Sequence, residues 1–260
     1  MGSEVGGCDG GSTVSRVAVV TGGASGVGWS ICEHLARQDR QVAVLDLDGD
    51  GATSGAAKLR ASGIDAVAAP VDVADRESVD AAFAVVREQL GPIEILVTSA
   101  AVSGFTKFED ITLEQWERSI AVNLTGTFHC IQAAIGDMVA AAWGRVVTIS
   151  SAAGQTGSAR QGDYSATKGG VIALTKTIAL EYARKGITAN TIPPFTVDTP
   201  MLRAAQAAGH LPATEYLTQA VPAGRLGTPD DIGAACAFLC SENAGFITGQ
   251  VFAVNGGAVV

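Results

Sequence analysis

The feature that most constrains this chain is an alternation of short β-branched runs with longer amphipathic stretches, which begins at Arg16 and continues almost to the last residue. The apolar runs lie at 17–20, 42–47, 66–71, 93–98, 145–150, 187–192 and 250–254. Between them, residues 26–38, 50–62, 75–90, 113–141, 163–185 and 228–240 carry apolar side chains at helical spacing. Repeated strand, helix, strand units join parallel neighbours through right-handed crossovers, so an α/β, doubly wound sheet is predicted, mostly or fully parallel, seven-stranded and covered by helices on both faces. The composition fits that burial, with 47% apolar and only 17% charged residues and 32 glycines to make the turns. A chain of 260 residues can form a substantial core.

Several boundaries are written locally. Asp75 stands at an N-cap position, and Gly91-Pro92 stops the helix that follows it. Thr228-Pro229-Asp230-Asp231 offers a capping hydroxyl, a proline in the first turn and two acids where the helix dipole favours them. Residues 1–14, rich in glycine and polar groups, are predicted to be a disordered tail, leaving 15–260 as one domain. Residues 193–226 break the alternation. Prolines at 193, 194, 200, 212 and 222 and weak helical pieces around 201–208 and 214–220 read as a lid over a site.

A net charge of −9 without a basic cluster argues against a nucleic-acid surface. No apolar run approaches the ~18 residues of a membrane span, and no basic-then-apolar leader is visible, so a cytoplasmic protein without membrane insertion is expected. The cysteines at 8, 32, 130, 236 and 240 are scattered and odd in number, which suggests reduced thiols. His34, His129 and His210 lack metal spacing, and no metal is predicted.

Thr21-Gly22-Gly23-Ala24-Ser25-Gly26-Val27-Gly28 follows the first strand and opens the first helix. Glycines there let the backbone approach a pyrophosphate, which the helix N-terminus holds with amides and positive potential. Some twenty residues on, Asp46 ends the second strand, beside Leu47, where a carboxylate accepts hydrogen bonds from an adenosine ribose. Asp46 repels a 2′-phosphate, and no Lys or Arg stands at 24, 25 or 47 to offset it, so NAD(H) is preferred over NADP(H). Tyr164 and Lys168 are i and i+4, on one face of a helix. A phenol with an ordinary pKa of ~10 becomes a useful acid-base group when a cation favours the phenolate. Ser151, at the end of an apolar run, can hold the substrate oxygen, and the spacing favours it over Ser150.

The combined pattern resembles the short-chain dehydrogenase/reductase family over essentially all of 16–260. It is carried by Thr21-Gly22-x3-Gly26-x-Gly28, Asp72-Val73, Asn123, Ser151, Tyr164-x3-Lys168, Asn190-x-Ile192, the Pro194 turn before Val197-x-Thr199-Pro200-Met201, and Gly256-Gly257. The resemblance implies a Rossmann-like domain that transfers hydride between a nicotinamide and a carbonyl or secondary alcohol. It gives Tyr164 the general acid/base role, and Lys168 the tasks of lowering the phenol pKa and binding the nicotinamide ribose. Ser151 would bond the reacting oxygen, and Asn123 would help hold a relay water. It further implies adenine contacts near Asp72 and Val73, carboxamide contacts near Pro194, Val197 and Thr199, and a cofactor wall at Ala100. Family members are commonly homotetramers or dimers joined through helices matching 113–141 and 163–185, and a tetramer is favoured here.

The chain departs from the family at three places. Thr98-Ser99-Ala100-Ala101 replaces Asn-Asn-Ala-Gly, so asparagine bonds across the sheet must be remade by Thr98 or dropped. Phe195 replaces a glycine after Pro194, and Asn255 an aspartate before Gly256-Gly257. Phe195, with Leu202, Leu211, Tyr216 and Leu217, suggests an apolar wall for a bulky or cyclic small-molecule substrate, hydroxysteroid-like or a cyclic alcohol. The alternatives are a 3-oxoacyl-thioester reductase or 3-hydroxyacyl dehydrogenase, and a non-catalytic nucleotide-binding scaffold, which the intact Ser151, Tyr164 and Lys168 argue against.

Overall fold

The computed structural model describes residues 15–260. The expected tail at 1–14, with Cys8, lies outside the described residues. The first half of the chain is β1 (Val17–Thr21), α1 (Gly26–Ala36), β2 (Gln41–Asp46), α2 (Gly49–Ala61), β3 (Ala66–Pro70), α3 (Arg76–Gln89) and β4 (Ile93–Thr98). The second half is α4 (Leu113–Ser119), α5 (Gly126–Ala141), β5 (Gly144–Ile149), α6 (Ala153–Thr156), α7 (Gly162–Tyr182), β6 (Ile187–Ile192), α8 (Pro200–Ala207), α9 (Thr214–Gln219) and α10 (Pro229–Leu239).

Six parallel strands form one sheet in the order β3-β2-β1-β4-β5-β6, a Rossmann-like arrangement. The order reverses between β1 and β4, and in open α/β sheets the crevice at the carboxyl ends of such strands is where ligands bind. Alternate residues of each strand feed opposite cores. Ala18, Val20, Val42 and Val44 pack with Ile31, Leu35, Ile232 and Leu239 from α1 and α10. Val17, Val19, Ala43 and Leu45 pack with Phe83, Ile131 and Met138 from α3 and α5. Burial on both faces explains why the strands read as continuous apolar runs.

The expected seventh strand is not a ladder. Residues 250–254 run beside β6 with one bridge, Thr191 to Val251. Backbone bonds at the bridge run from Thr191 N to Gln250 O at 3.0 Å and from Phe252 N to Thr191 O at 2.8 Å, and the Asn190 side chain adds two more: Nδ2 donates to the Ile247 carbonyl at 2.8 Å, and Oδ1 accepts from Gln250 N at 3.1 Å. The segment then turns at once, because Gly256 and Gly257 hold φ of 63° and 85° and Asn255 Oδ1 accepts from Gly257 N at 3.0 Å. Asn255 therefore braces the Gly-Gly turn.

The single helix expected over 113–141 is two helices joined by a π-helical turn, Ile120–Thr125, with Asn123 inside it. Such turns insert one extra residue and are frequent at functional sites. Four cysteines, at 32, 130, 236 and 240, are buried free thiols. Burial holds Cys32 far above the usual thiol range and pushes Cys130 up to about 12.

Candidate active site

A cleft of about 990 Å³ opens at the carboxyl ends of the strands, across the point where the strand order reverses. Its floor is the turn between β1 and α1. Gly22 adopts φ 68°, and a Cβ there would lie 2.7 Å from the Ala100 backbone; a Cβ at Gly28 would lie 1.9 Å from the Gly22 carbonyl oxygen. Only glycines permit this close turn. Ser25 stands at the N-cap of α1 in extended conformation without a side-chain cap bond, and the first turn holds no acid. The helix start thus presents free amides and positive potential, which suits the pyrophosphate of a dinucleotide. Asp46 borders the same floor, its Oδ2 accepting from Ala24 N at 3.0 Å and its Oδ1 from Asp48 N at 3.1 Å. Leu47, Asp72, Val73 and Ala100 complete that end of the cleft.

The other wall comes from the end of β5 and the start of α7. Ser150 is buried, accepting from Thr191 Oγ1 at 2.8 Å and donating to the Ile192 carbonyl, so its hydroxyl serves the sheet. Ser151 is half-buried, and Ala153 N donates to its Oγ at 3.2 Å. Tyr164, Lys168 and Ser151 share one wall of the cleft. Lys168 Nζ donates to the Ile149 carbonyl at 2.8 Å and lies 5.7 Å from the Tyr164 ring centroid.

Burial raises the Tyr164 phenol, the Ser151 hydroxyl opposes that rise, and burial lowers Lys168 itself to about 8. The ammonium bonds a backbone carbonyl beside the ring.

Nearly all the remaining expected residues line the cleft: Gly22, Ser25, Gly26, Val27, Gly28, Pro194, Phe195, Val197, Thr199 and Leu202. Pro194 O accepts from Ala152 N at 2.9 Å, and Thr199 caps α8 through Leu202 N. Two expected residues stand behind the wall. Thr21 is buried in β1. Asn123 is fully buried: both amide hydrogens are engaged, with Val102 O at 2.9 Å and Thr167 Oγ1 at 3.2 Å, and Oδ1 accepts from Val102 N at 2.8 Å. Its side chain therefore ties the loop after β4 to α7 and has no hydrogen left for a water. Thr98 does not replace the asparagine it stands for, because its buried Oγ1 has no partner.

In the 193–226 excursion, Leu202, Leu211 and Leu217 line the cleft, whereas Tyr216 is two-thirds exposed and points to solvent, against the expectation of an all-apolar lid. Sequence reasoning missed Phe105, Arg118, Arg160, Gln161 and His210, which also line the cleft. They lie on loops or, for Arg118, within the helical pattern of α4, and only the fold gathers them. Among the described residues no helix is long and apolar enough to cross a membrane, and no group of three metal-ligating side chains forms.

Comparison with known proteins agrees with this geometry. The family model described as Enoyl-(Acyl carrier protein) reductase matches residues 22–259. The chain is 35% identical to an acetoacetyl-CoA reductase of Cupriavidus necator, over 93% of this chain and 97% of that protein. It is 37% identical to the 3-oxoacyl-[acyl-carrier-protein] reductase MabA of Mycobacterium bovis, over 94% and 93%. A solved gluconate 5-dehydrogenase from Burkholderia cenocepacia, in complex with NADP and tartrate, superposes with a TM-score of 0.87 at 32% identity, covering 94% of each chain. The glycine cradle, the Ser151, Tyr164 and Lys168 wall and these likenesses together place the chain in the short-chain dehydrogenase/reductase family, oxidoreductases that act on CH–OH groups with a nicotinamide cofactor.

Proposed function

We propose that this protein interconverts a 3-oxoacyl thioester and its 3-hydroxyacyl counterpart with NAD(H). The observation that carries the reaction type is Ser151, Tyr164 and Lys168 on one cleft wall, facing the glycine cradle. When bound, the nicotinamide gives or takes the hydride. Ser151 holds the substrate oxygen and Tyr164 transfers the proton to or from it. Lys168, donating to the Ile149 carbonyl, fixes its own ammonium beside the Tyr164 ring, where it can also meet the nicotinamide ribose. Asn123 acts as a positioning residue through Val102 and Thr167.

The thioester reading is favoured over the cyclic-alcohol one by the names of the relatives, an acetoacetyl-CoA reductase and a 3-oxoacyl-carrier-protein reductase. Phe195, 40% exposed on the cleft wall, then packs along an acyl chain. Asp46 supports NAD(H), because its carboxylate occupies the space a 2′-phosphate needs, and the bound NADP named for the gluconate 5-dehydrogenase belongs to that protein. Exposed apolar side chains on α5 and α7, Phe128 and Leu180, and a second set at Phe238 and Phe246 are compatible with two interfaces and hence a homotetramer.

The test is initial-rate absorbance at 340 nm with acetoacetyl-CoA, a cyclic ketone and a 3-ketosteroid, each with NADH and with NADPH. The expected result is fastest turnover of the thioester with NADH, abolished in Tyr164→Phe. Ketosteroid turnover exceeding that of the thioester overturns the substrate reading, and faster use of NADPH overturns the cofactor reading.

A further inference from the structure

Two carboxylates line the cleft, Asp46 at the end of β2 and Asp72 just after β3, against four basic side chains, Arg118, Arg160, Lys168 and His210. This runs against a net charge of −9. Arg118, Arg160 and His210 are exposed at the cleft rim, where an excess of one sign raises the local concentration of the opposite charge.

Arg160 adds an independent sign. Among the described residues it is one of three non-glycine residues at positive φ, at 64°, and the one of those three that lines the cleft. Backbone held in this region clusters at ligand clamps. Here the loop after β4 holds it: Thr106 N donates to the Arg160 carbonyl at 2.8 Å, and Arg160 Nη2 donates to the Phe105 carbonyl at 3.0 Å. That uses one of the five guanidinium N–H donors. Neither Arg160 nor Arg118 has a carboxylate within ion-pairing distance among the described residues. His210, from the turn after α8, stacks on Phe105 with centroids 5.5 Å apart and planes at 24°, so the excursion closes on the same spot.

We propose that this recess seats an anionic oxygen group of the substrate, a carboxylate or a phosphate, with Arg160 as its main donor and Arg118 and His210 beside it. The inference rests on the thioester reading and adds to it which group of this chain meets the substrate's negative charge, whether that charge is the carrier's phosphate or a carboxylate on the acyl chain. The planar guanidinium fork pairs two oxygens of either group at once.

Three truncated thioesters separate the sources of charge: acetoacetyl-N-acetylcysteamine, which is neutral; acetoacetyl-phosphopantetheine, which bears a phosphate; and the N-acetylcysteamine thioester of 3-oxoadipate, which bears a carboxylate. One charged thioester is expected to exceed the neutral one in kcat/KM by tenfold or more, and the one that does identifies the source. Arg160→Gly, which suits the backbone conformation, is expected to erase that preference through KM, with Arg160→Lys restoring part of it. Structural damage alone would lower all three thioesters together. Titration into Tyr164→Phe protein loaded with NADH reads affinity without turnover. Equal affinity for charged and neutral thioesters, or a preference that Arg160→Gly leaves intact, overturns the anion seat. If no thioester is turned over by wild type yet a charged one binds preferentially, the thioester reading falls and the anion seat stands.

Discussion

Replacing Lys168 by methionine should stabilise the cofactor-free protein at neutral pH while destroying its activity. Lys168 is 3% exposed, its Nζ donates to the Ile149 carbonyl at 2.8 Å, and burial lowers its pKa from 10.5 to about 8. A lowering of this size corresponds to roughly 3 kcal/mol against the charged form, at about 1.36 kcal/mol per pH unit. Below pH 8 the folded and unfolded chains both carry the proton, and the cost is present in full. Between pH 8 and 10.5 the unfolded chain binds a proton that the folded chain does not, so stability rises with pH through that window; above 10.5 the cost is gone. Methionine keeps the length, removes the penalty and loses a charge-assisted hydrogen bond worth about 1.5–3 kcal/mol. The net gain near pH 7 is about 1 kcal/mol, or roughly 2–4 °C in Tm for a chain of this size. Toward pH 10.5 the order should invert, because the neutral amine still bonds Ile149 without the desolvation cost. Urea unfolding of both proteins from pH 7 to 10.5 reads the difference directly. A difference that stays constant across the window, or a methionine variant clearly less stable at pH 7, would refute the reasoning.

Three shorter predictions test other parts of the site. Gly28→Ala places a Cβ 1.9 Å from the Gly22 carbonyl oxygen, so NADH affinity by fluorescence titration should fall at least tenfold. Thr98→Val removes a buried hydroxyl that has no partner and should raise stability by about 1 kcal/mol, read as a higher urea midpoint at unchanged slope. Asp46→Ser should lower KM for NADPH by roughly tenfold by removing a like-charge contact with the 2′-phosphate; an unchanged NADH to NADPH ratio would show that Asp46 does not set the preference.

What the sequence determined by itself is whatever short-range chemistry controls. Continuous apolar runs and amphipathic stretches set six strands and the helices that cover them, because burial of both sheet faces requires that pattern. Caps followed the same logic: Asp75 accepts from Glu77 N, and Thr228 forms a capping box with Asp231. The glycine spacing of 22–28 and the i, i+4 pair of Tyr164 and Lys168 were equally local, and the cleft brings them together. The tertiary structure decided what depends on distant neighbours. Residues 250–254 have strand composition, yet they meet β6 through one bridge in place of a ladder, and the Asn190 side chain, about sixty positions away, takes the Gln250 N–H. Asn123 is singled out by the sequence pattern, but only the fold shows that it lies in a π-helical turn with its side-chain amide donating to Val102 and Thr167. The net position of the Tyr164 phenol depends on burial as well as on its neighbours: loss of water raises it and the Ser151 hydroxyl opposes the rise, which the spacing of Tyr164 and Lys168 does not show. Arg160 looks like an ordinary loop arginine in the sequence. Its left-handed backbone, its free donors and its place opposite His210 exist only because two loops and the 193–226 excursion converge there.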